Sequence, residues 1–495
     1  MYYSMLRKIR IILATIFFVG ITALFLDFTG TLHLWLGWIA KVQLIPAILS
    51  LNIVIIAILI LLTFISGRVY CSSVCPLGVM QDIVSNLSGR RKGKRARFSF
   101  KKENRWLRYT SAVLFTLLII AGFTWIAALI EPYSAYGRIA NSLIAPVYQW
   151  TNNLLAYFAE RADSYAFYSV DVWMRSAAAT AVAAVTFITV AILAWRGGRT
   201  WCNTICPAGT LLGLISRYSL FRPTIDSSKC AGCRLCERSC KGRCINIAEK
   251  SIDYSRCVAC MNCIEKCNRG AIKYKYAGFG SGKEKTTDNS RRSFLAVSGA
   301  MIGSSLLAQE GKIVDGGLAA IEEKKVPKRT TPVVPAGAES IANFTQHCTS
   351  CQLCVSKCPN DVLRPSQSIE RFMQPEMSFE RGFCRPACNI CSQVCPNSAI
   401  KPIEKAMKSA VKIGTAVWVA DNCIAYSDGV RCGNCARHCP NGAISMVECK
   451  DKPGAARIPV VDAERCLGCG ACEYVCPARP FSAIFVEGIE EHRTI

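Results

Sequence analysis

The sequence predicts a multidomain chain: an α-helical membrane domain with four transmembrane helices, followed by two ferredoxin-like α+β domains that bind [4Fe-4S] clusters. Three observations predict it. Apolar runs near the length of a bilayer crossing lie in the first 200 residues; 30 cysteines fall mostly in triplets downstream of them; and the net charge of +25 is placed almost wholly in one part of the chain. At 495 residues there is room for several domains, on a prior of about one per 100–200 residues. The partition is 1–222 (membrane domain), 223–285 (first ferredoxin domain), 286–309 (a signal-like segment or fifth anchor), 310–345 (linker) and 346–495 (second ferredoxin domain).

The membrane domain rests on apolar runs at 9–26, 43–66, 108–130 and 176–195, against roughly 20 residues needed to cross a bilayer. Basic residues mark which ends face inward. Arg7, Lys8 and Arg10 precede the first run, and Arg90, Arg91, Lys92, Lys94, Arg95, Arg97, Lys101 and Lys102 follow the second, whereas 27–42 and 131–174 carry few. Four helices with the N-terminus inside satisfy that pattern. Residues 1–308 hold 37 Lys and Arg against 14 Asp and Glu, and 309–495 hold 22 against 20. The surplus flanks apolar segments and cysteine motifs and accompanies no nucleic-acid module, so it reads as a partner for the lipid bilayer and excludes nucleic acid.

Within this domain Gly67-Arg68-Val69-Tyr70-Cys71-Ser72-Ser73-Val74-Cys75-Pro76-Leu77-Gly78 recurs as Gly198-Arg199-Thr200-Trp201-Cys202-Asn203-Thr204-Ile205-Cys206-Pro207-Ala208-Gly209. Each copy closes a predicted helical hairpin, and each brings only two thiols. Cys71, Cys75, Cys202 and Cys206 therefore form one shared metal site around a pseudo-two-fold axis, two redox-active dithiols, or two structural pairs. Glu131, beside the outer end of the third run, is a candidate to accept a proton from a quinol, with His33 a weaker one. The ordinary alternative for that region is an interfacial belt, since Trp and Tyr gather at membrane surfaces.

Two cysteine quartets follow at 230–267. Three cysteines at two-residue gaps wrap one cluster and a fourth, three residues on, reaches the neighbouring one, as in two-cluster ferredoxins. This assigns Cys230, Cys233, Cys236 and Cys267 to one [4Fe-4S] cluster, and Cys257, Cys260, Cys263 and Cys240 to its partner. Lys241 and Asn268 stand where proline normally follows the fourth cysteine, and Cys244 competes as a ligand. Zinc ribbons pair their cysteines instead of grouping them in threes, and disulfide frameworks belong to small secreted domains.

Arg291-Arg292-Ser293-Phe294-Leu295 and the apolar stretch to Ala308 resemble a twin-arginine export signal placed internally. Beyond a Pro- and Lys-containing linker come four more groups: Cys348, Cys351, Cys354 with Cys358; Cys384, Cys388, Cys391 with Cys395; Cys423, Cys432, Cys435 with Cys439; and Cys466, Cys469, Cys472 with Cys476. Each fourth cysteine precedes a proline. Nested exchange of that fourth ligand, first group with fourth and second with third, places Cys476 with the Cys348 set, Cys358 with the Cys466 set, Cys439 with the Cys384 set and Cys395 with the Cys423 set. Cys449 is left over as a small core residue.

On these motifs residues 1 to about 285 resemble the membrane-bound H subunit of the periplasmic nitrate reductase system, and 286–495 resemble its G subunit, an exported four-cluster ferredoxin; the pair would be fused here. The resemblance implies a quinol dehydrogenase component in a bacterial inner membrane, with menaquinol or ubiquinol as substrate and a periplasmic reductase or cytochrome as acceptor. The first ferredoxin domain would be cytoplasmic and the second periplasmic. Up to six [4Fe-4S] clusters would then lie on both sides of a core about 30 Å thick, which calls for an additional intramembrane centre or carrier. Two rival functions are a metal-reducing or oxidase-assembly protein of the same build, and a redox-sensing regulatory membrane protein.

Overall fold

A computed structural model describes residues 2–27, 31–88, 98–163, 167–170, 172, 175–276, 323–449 and 456–495. The twin-arginine stretch and most of the basic loop after the second run lie outside the described residues.

The membrane domain is all helix. α1 (Tyr2–Leu26) is continuous, and α2 (Thr31–Lys41) folds back along it, with Trp38 edge-on to Phe17 and Ile39 seated over Gly20. The expected second run is two helices, α3 (Leu44–Leu49) and α4 (Ile53–Ser66), because Leu51 takes a left-handed conformation and the Asn52 side chain caps the second piece. α5 (Val69–Ser73) and α6 (Pro76–Ser88) follow. The third run also breaks, at Gly122 with φ +82°, into α7 (Arg105–Ile120) and α8 (Thr124–Ile130). The stretch expected as a loop is α9 (Pro132–Ile139), a π-helical turn and α10 (Ala145–Arg161), and then come α11 (Ala177–Gly197), α12 (Thr200–Thr204) and α13 (Pro207–Ser216).

Of these, α1 and α11 are long and apolar enough to cross a membrane; α4 and α13 are shorter apolar helices. Their large apolar side chains point outward (Ile16 and Val19 on α1, Ile58 and Leu61 on α4, Val185 and Ile188 on α11), while Gln43, Arg68, Glu131, Arg138 and Arg199 are buried. That distribution is the reverse of a water-soluble bundle. The two repeat copies interlock: α6 packs on α11 and α13 on α4, so each copy's second helix covers the first helix of the other.

The first ferredoxin domain is β1 (Phe221–Ile225), α14 (Leu235–Ser239), β2 (Ile245–Asn246), β3 (Ser251–Ile252), α15 (Asn262–Glu265) and β4 (Ile272–Tyr276). β1 and β4 pair antiparallel from Phe221↔Tyr276 to Ile225↔Ile272, closing the unit at both ends, and β2 and β3 form its inner hairpin.

The second domain contains α16 (Ile341–His347), α17 (Leu353–Lys357), β5 (Leu363–Pro365), β6 (Pro375–Met377), α18 (Ile390–Val394), α19 (Lys405–Lys408), β7 (Val411–Trp418), α20 (Ile424–Ser427), α21 (Asn434–Arg437), β8 (Ile444–Val447), β9 (Ile458–Val461), α22 (Ala471–Val475) and β10 (Ile484–Thr494). β7 and β10 pair from Trp418↔Ile484 onward around an inner β8–β9 hairpin, repeating the plan of the first domain. Part of the expected linker belongs to this core. Val333, Val334, Ala336 and Ala338 are buried, and the Met377 amide bonds to the Val333 carbonyl, so 331–338 is an extended strap that fills apolar space.

Both ferredoxin domains are docked, at opposite ends of α1. Arg7 pairs with Glu265 at 2.5 Å and donates to Asn262 at 3.2 Å. At the other end the Lys357 amine meets the Asp27 carboxylate at 2.7 Å.

Candidate iron-sulfur centres

Three cavities lined by cysteines show how the groups are shared. One is bounded by Cys240, Cys244, Cys257, Cys260 and Cys263, as the spacing leads one to expect for the first domain. Its partner follows from β1–β4 pairing, which brings the Asp226 amide to the Ala271 carbonyl and so Cys267 back to the Cys230 group; Cys236 feels both Cys233 and Cys267. Cys244 Sγ stands 3.5 Å from Cys240 Sγ, so both remain at the cluster position.

In the second domain the nested exchange is corrected. Cys423, Cys432 and Cys435 line a cavity with Cys476, and Cys466, Cys469 and Cys472 line another with Cys439. Cys395 lies with Cys348, Cys351 and Cys354, and Cys358 with Cys384 and Cys391. The physical reason is strand register. Pairing Trp418 with Ile484 and bonding the Val419 amide to the Ala483 carbonyl draws Cys476 onto Cys423, as β1–β4 draws Cys267 onto Cys230. The exchange therefore runs between consecutive groups. The two pairs abut where the Cys384 amide donates to the Cys469 carbonyl at 2.9 Å. Cys449, expected in the core, is only half-buried just past the end of β8.

The backbone around the triplets fits an anionic cluster. Gly232, Ala259, Ser350 and Gly468 occupy the same place between the first two cysteines of their groups, and Arg234, Met261, Gln352 and Gly470 follow the second; all eight have positive φ. Left-handed residues alternating with ordinary ones turn successive N–H groups inward into a nest for anions, a known support of Fe–S sites, and five of the eight are not glycine, which costs free energy at each. Amides also aim at sulfur: Ala271 at Cys267 and Ala443 at Cys439, both 3.2 Å, and Ala483 at Cys476, 3.3 Å. Lys408 adds a charged donor 3.2 Å from Cys384 Sγ. Among the described residues no three His, Cys, Asp or Glu side chains converge on one ion position.

Family models for a 4Fe-4S binding domain match residues 50–95 and 179–226, and one for a 4Fe-4S dicluster domain matches 430–479. The methylamine utilization ferredoxin-type protein MauM of Methylobacillus flagellatus is 32% identical over 196 residues, covering 38% of this chain and 75% of MauM. The chain belongs to the family of ferredoxin-type proteins that includes MauM. NapH of Haemophilus influenzae is 28% identical over 193 residues, 39% of this chain and 54% of NapH. An uncharacterised protein of Methanocaldococcus jannaschii is 29% identical over 248 residues, 50% of this chain and 77% of the relative. No solved structure matches. As a ferredoxin-type protein the chain is an iron-sulfur electron-transfer protein, and the dicluster match over 430–479 agrees with consecutive exchange between the last two groups.

This ferredoxin-type protein also brings together the thiols of its repeat. Cys71, Cys75, Cys202 and Cys206 are all buried, and Cys206 senses the other three. Beside them lies Asp82, which the sequence reading passed over because an isolated Asp on a helix carries no signal. Its carboxylate takes Arg199 through two contacts of 2.9 Å, Arg10 at 3.3 Å and Lys241 at 3.4 Å, tying α1, the second repeat and the first ferredoxin domain. Burial alone would raise the Asp82 carboxyl, but Arg199 and Lys241 more than reverse this and hold it well below the ordinary carboxylate range. Lys241 is the residue standing where proline was expected after Cys240, and its carbonyl accepts the Arg199 amide at 2.9 Å. The departure from the ferredoxin pattern is thus the docking contact itself.

Glu131 has a structural role in the fold. It is buried and caps α9, its two carboxylate oxygens accepting the amides of Tyr133, at 3.0 Å, and Ser134. Each oxygen accepts one amide, and at 1% exposure the carboxylate is closed off from water.

Proposed function

We propose that this protein is an inner-membrane electron conduit that draws electrons from menaquinol or ubiquinol and delivers them to a periplasmic reductase or cytochrome, as a component of a quinol dehydrogenase. The observation that carries the reading is the placing of the two cluster-bearing domains at the two ends of α1. About 30 Å of helix separates Arg7 from Asp27 at 1.5 Å per residue, the thickness of a bilayer core. The basic residues Arg7, Lys8 and Arg10 lie at the end that carries the first ferredoxin domain, which makes that end cytoplasmic by the positive-inside rule. Four membrane crossings, with α3–α4 and α7–α8 acting as broken spans beside α1 and α11, return the chain to the cytoplasmic side at the first ferredoxin domain, and the second reaches the other side by the further passage that the sequence assigns to the signal-like segment or fifth anchor at 286–309.

Clusters at the cysteine sets supply one-electron carriers, and the chain's own contacts order them. The first ferredoxin domain sits on both repeats: Arg68 donates to the Ser255 carbonyl at 3.0 Å, and Asn203 donates to the Gly242 carbonyl at 3.2 Å. On the far side Thr124 donates to the Cys348 carbonyl at 3.2 Å, Asn141 to Gln352 at 3.0 Å, and Gly137 packs so tightly under Cys351 that a Cβ would stand 2.5 Å from its carbonyl oxygen. The order of sets is Cys230, Cys257, the repeats, Cys348, Cys384, Cys466 and Cys423. A reporter fused after Ile495 is expected in the periplasm and one fused near Gly280 in the cytoplasm, and membranes holding the protein should oxidise quinol only when a periplasmic acceptor is present. A cytoplasmic reporter after Ile495 overturns the topology; absence of quinol oxidation overturns the donor.

A further inference from the structure

We propose that Cys71, Cys75, Cys202 and Cys206 together hold one further iron-sulfur cluster, with Arg68 and Arg199 as its buried counter-ions. The centre deepens the conduit reading, since it fills the interval between the Cys257 and Cys348 sets, but it stands on its own geometry.

The two repeats exchange their arginines. Arg68 reaches across to the Cys202 carbonyl, 3.3 Å, and back to its own Cys71 Sγ, 3.7 Å. Arg199 reaches the Cys71 carbonyl, 2.6 Å, and its own Cys202 Sγ, 3.9 Å. The remaining polar partners of Arg68 are Asn203 and the Ser255 carbonyl, all neutral. Among the described residues no carboxylate pairs with it, although it is 0% exposed. A guanidinium buried without an anion is strongly unfavourable. Arg199 does have Asp82, but that one carboxylate also serves Arg10 and Lys241. Among the described residues the site is short of carboxylates; Arg68 is also within electrostatic reach of Cys257 of the first ferredoxin domain, and the thiols of Cys71 and Cys202 face both guanidiniums. A four-iron cluster with four thiolates is doubly negative in its oxidised form, which answers the deficit; neutral thiols do not.

The glycines of the motif serve the same exchange. A Cβ on Gly78 would stand 2.4 Å from the Cys71 carbonyl oxygen and 2.5 Å from Arg199, and one on Gly209 would stand 2.1 Å from the Cys202 carbonyl oxygen and 2.9 Å from Arg68. Each repeat leaves out a side chain to admit the other's guanidinium. Donors also face sulfur, from Gln81 to Cys202 at 3.2 Å and from the Gly209 amide to Cys206 at 3.4 Å. The 4Fe-4S family model matches both copies, yet each match contains only two cysteines, so four ligands require the pair. Glu131 lies within electrostatic reach of both Tyr70, the neighbour of Cys71, and Cys351, so it stands between the centre and the Cys348 set.

The test is iron and acid-labile sulfide on the full chain purified without oxygen, for the wild type and for Cys71→Ser, Cys75→Ser, Cys202→Ser and Cys206→Ser, with Cys449→Ser as control. Each of the four is expected to lose the same about four iron and four sulfide, together with one electron paramagnetic resonance signal, the control losing nothing. Arg68→Met, which leaves every thiol in place, is expected to keep its iron and move the midpoint of that one signal to lower potential, with Arg68→Lys restoring most of it. Full iron in any of the four variants overturns the shared cluster, as does an unshifted set of signals in an iron-replete Arg68→Met. These readings do not depend on quinol, acceptor or sidedness, so they succeed or fail apart from the conduit reading.

Discussion

Replacing Asp82 by Asn keeps the shape of the side chain and removes the one anion shared by Arg10, Arg199 and Lys241. Arg199 is fully buried and Lys241 is 5% exposed, so neither charge can be rehydrated in place. Breaking a buried pair from one side costs about 3–5 kcal/mol, or about 150- to 5,000-fold in the local opening equilibrium at 1.36 kcal/mol per decade. The opening should appear where the first ferredoxin domain meets the second repeat. Hydrogen exchange of the Arg199 amide, which bonds the Lys241 carbonyl at 2.9 Å, is therefore the assay, and its protection should fall by that factor in Asp82→Asn while amides of the β7–β10 pair stay unchanged. The pH dependence has a definite sign. A carboxylate held below its ordinary range contributes stability that is present above the unfolded pKa of about 4 and is lost as pH falls through the lower folded value. Wild-type protection of Arg199 should be level from neutrality to about pH 5 and decline below it, with that acid limb much reduced in Asp82→Asn. Equal protection of the Arg199 amide in the two proteins at neutral pH would refute the reasoning.

Exchange between consecutive groups predicts that Cys476→Ser opens Cys423, Cys432 and Cys435 to alkylation and leaves Cys348, Cys351 and Cys354 protected; mass spectrometry of the labelled protein reads it, and the reverse pattern would restore the nested exchange. Two glycine substitutions separate crowding from backbone strain. Gly78→Ala meets the Cys71 backbone at 2.4 Å and should cost more than the about 1–3 kcal/mol typical of overpacking. Gly232→Ala meets nothing within 4 Å, and Ala259 already occupies the equivalent left-handed position, so only about 1 kcal/mol of backbone strain is expected. Thermal loss of cluster absorbance ranks the two, and the opposite ranking would count against the account of the repeat.

Much of this architecture is legible in residue order because its causes are local. A cysteine triplet wraps a cluster within about ten residues of chain, so the sets at 230–236, 257–263, 348–354 and 466–472 announce themselves, as do the apolar lengths of α1 and α11 and the doubled motif from Gly67 and Gly198. Even the exchanged arginines had a signal, since Arg68 and Arg199 repeat as faithfully as the cysteines, though their partners do not show in either copy read alone. What only the tertiary structure decided are the long-range meetings. Which triplet receives Cys476 depends on the register of β7 against β10, some 70 residues apart in the chain. The use of Asp82, and of Lys241 in place of proline, depends on a ferredoxin domain docking on a helix end. The capping of α9 by both oxygens of Glu131 likewise shows only once the helix has formed. Ligand spacing and hydropathy are written along the chain, but the neutralisation of a buried charge is a property of everything packed around it, and that exists only once the domains have met.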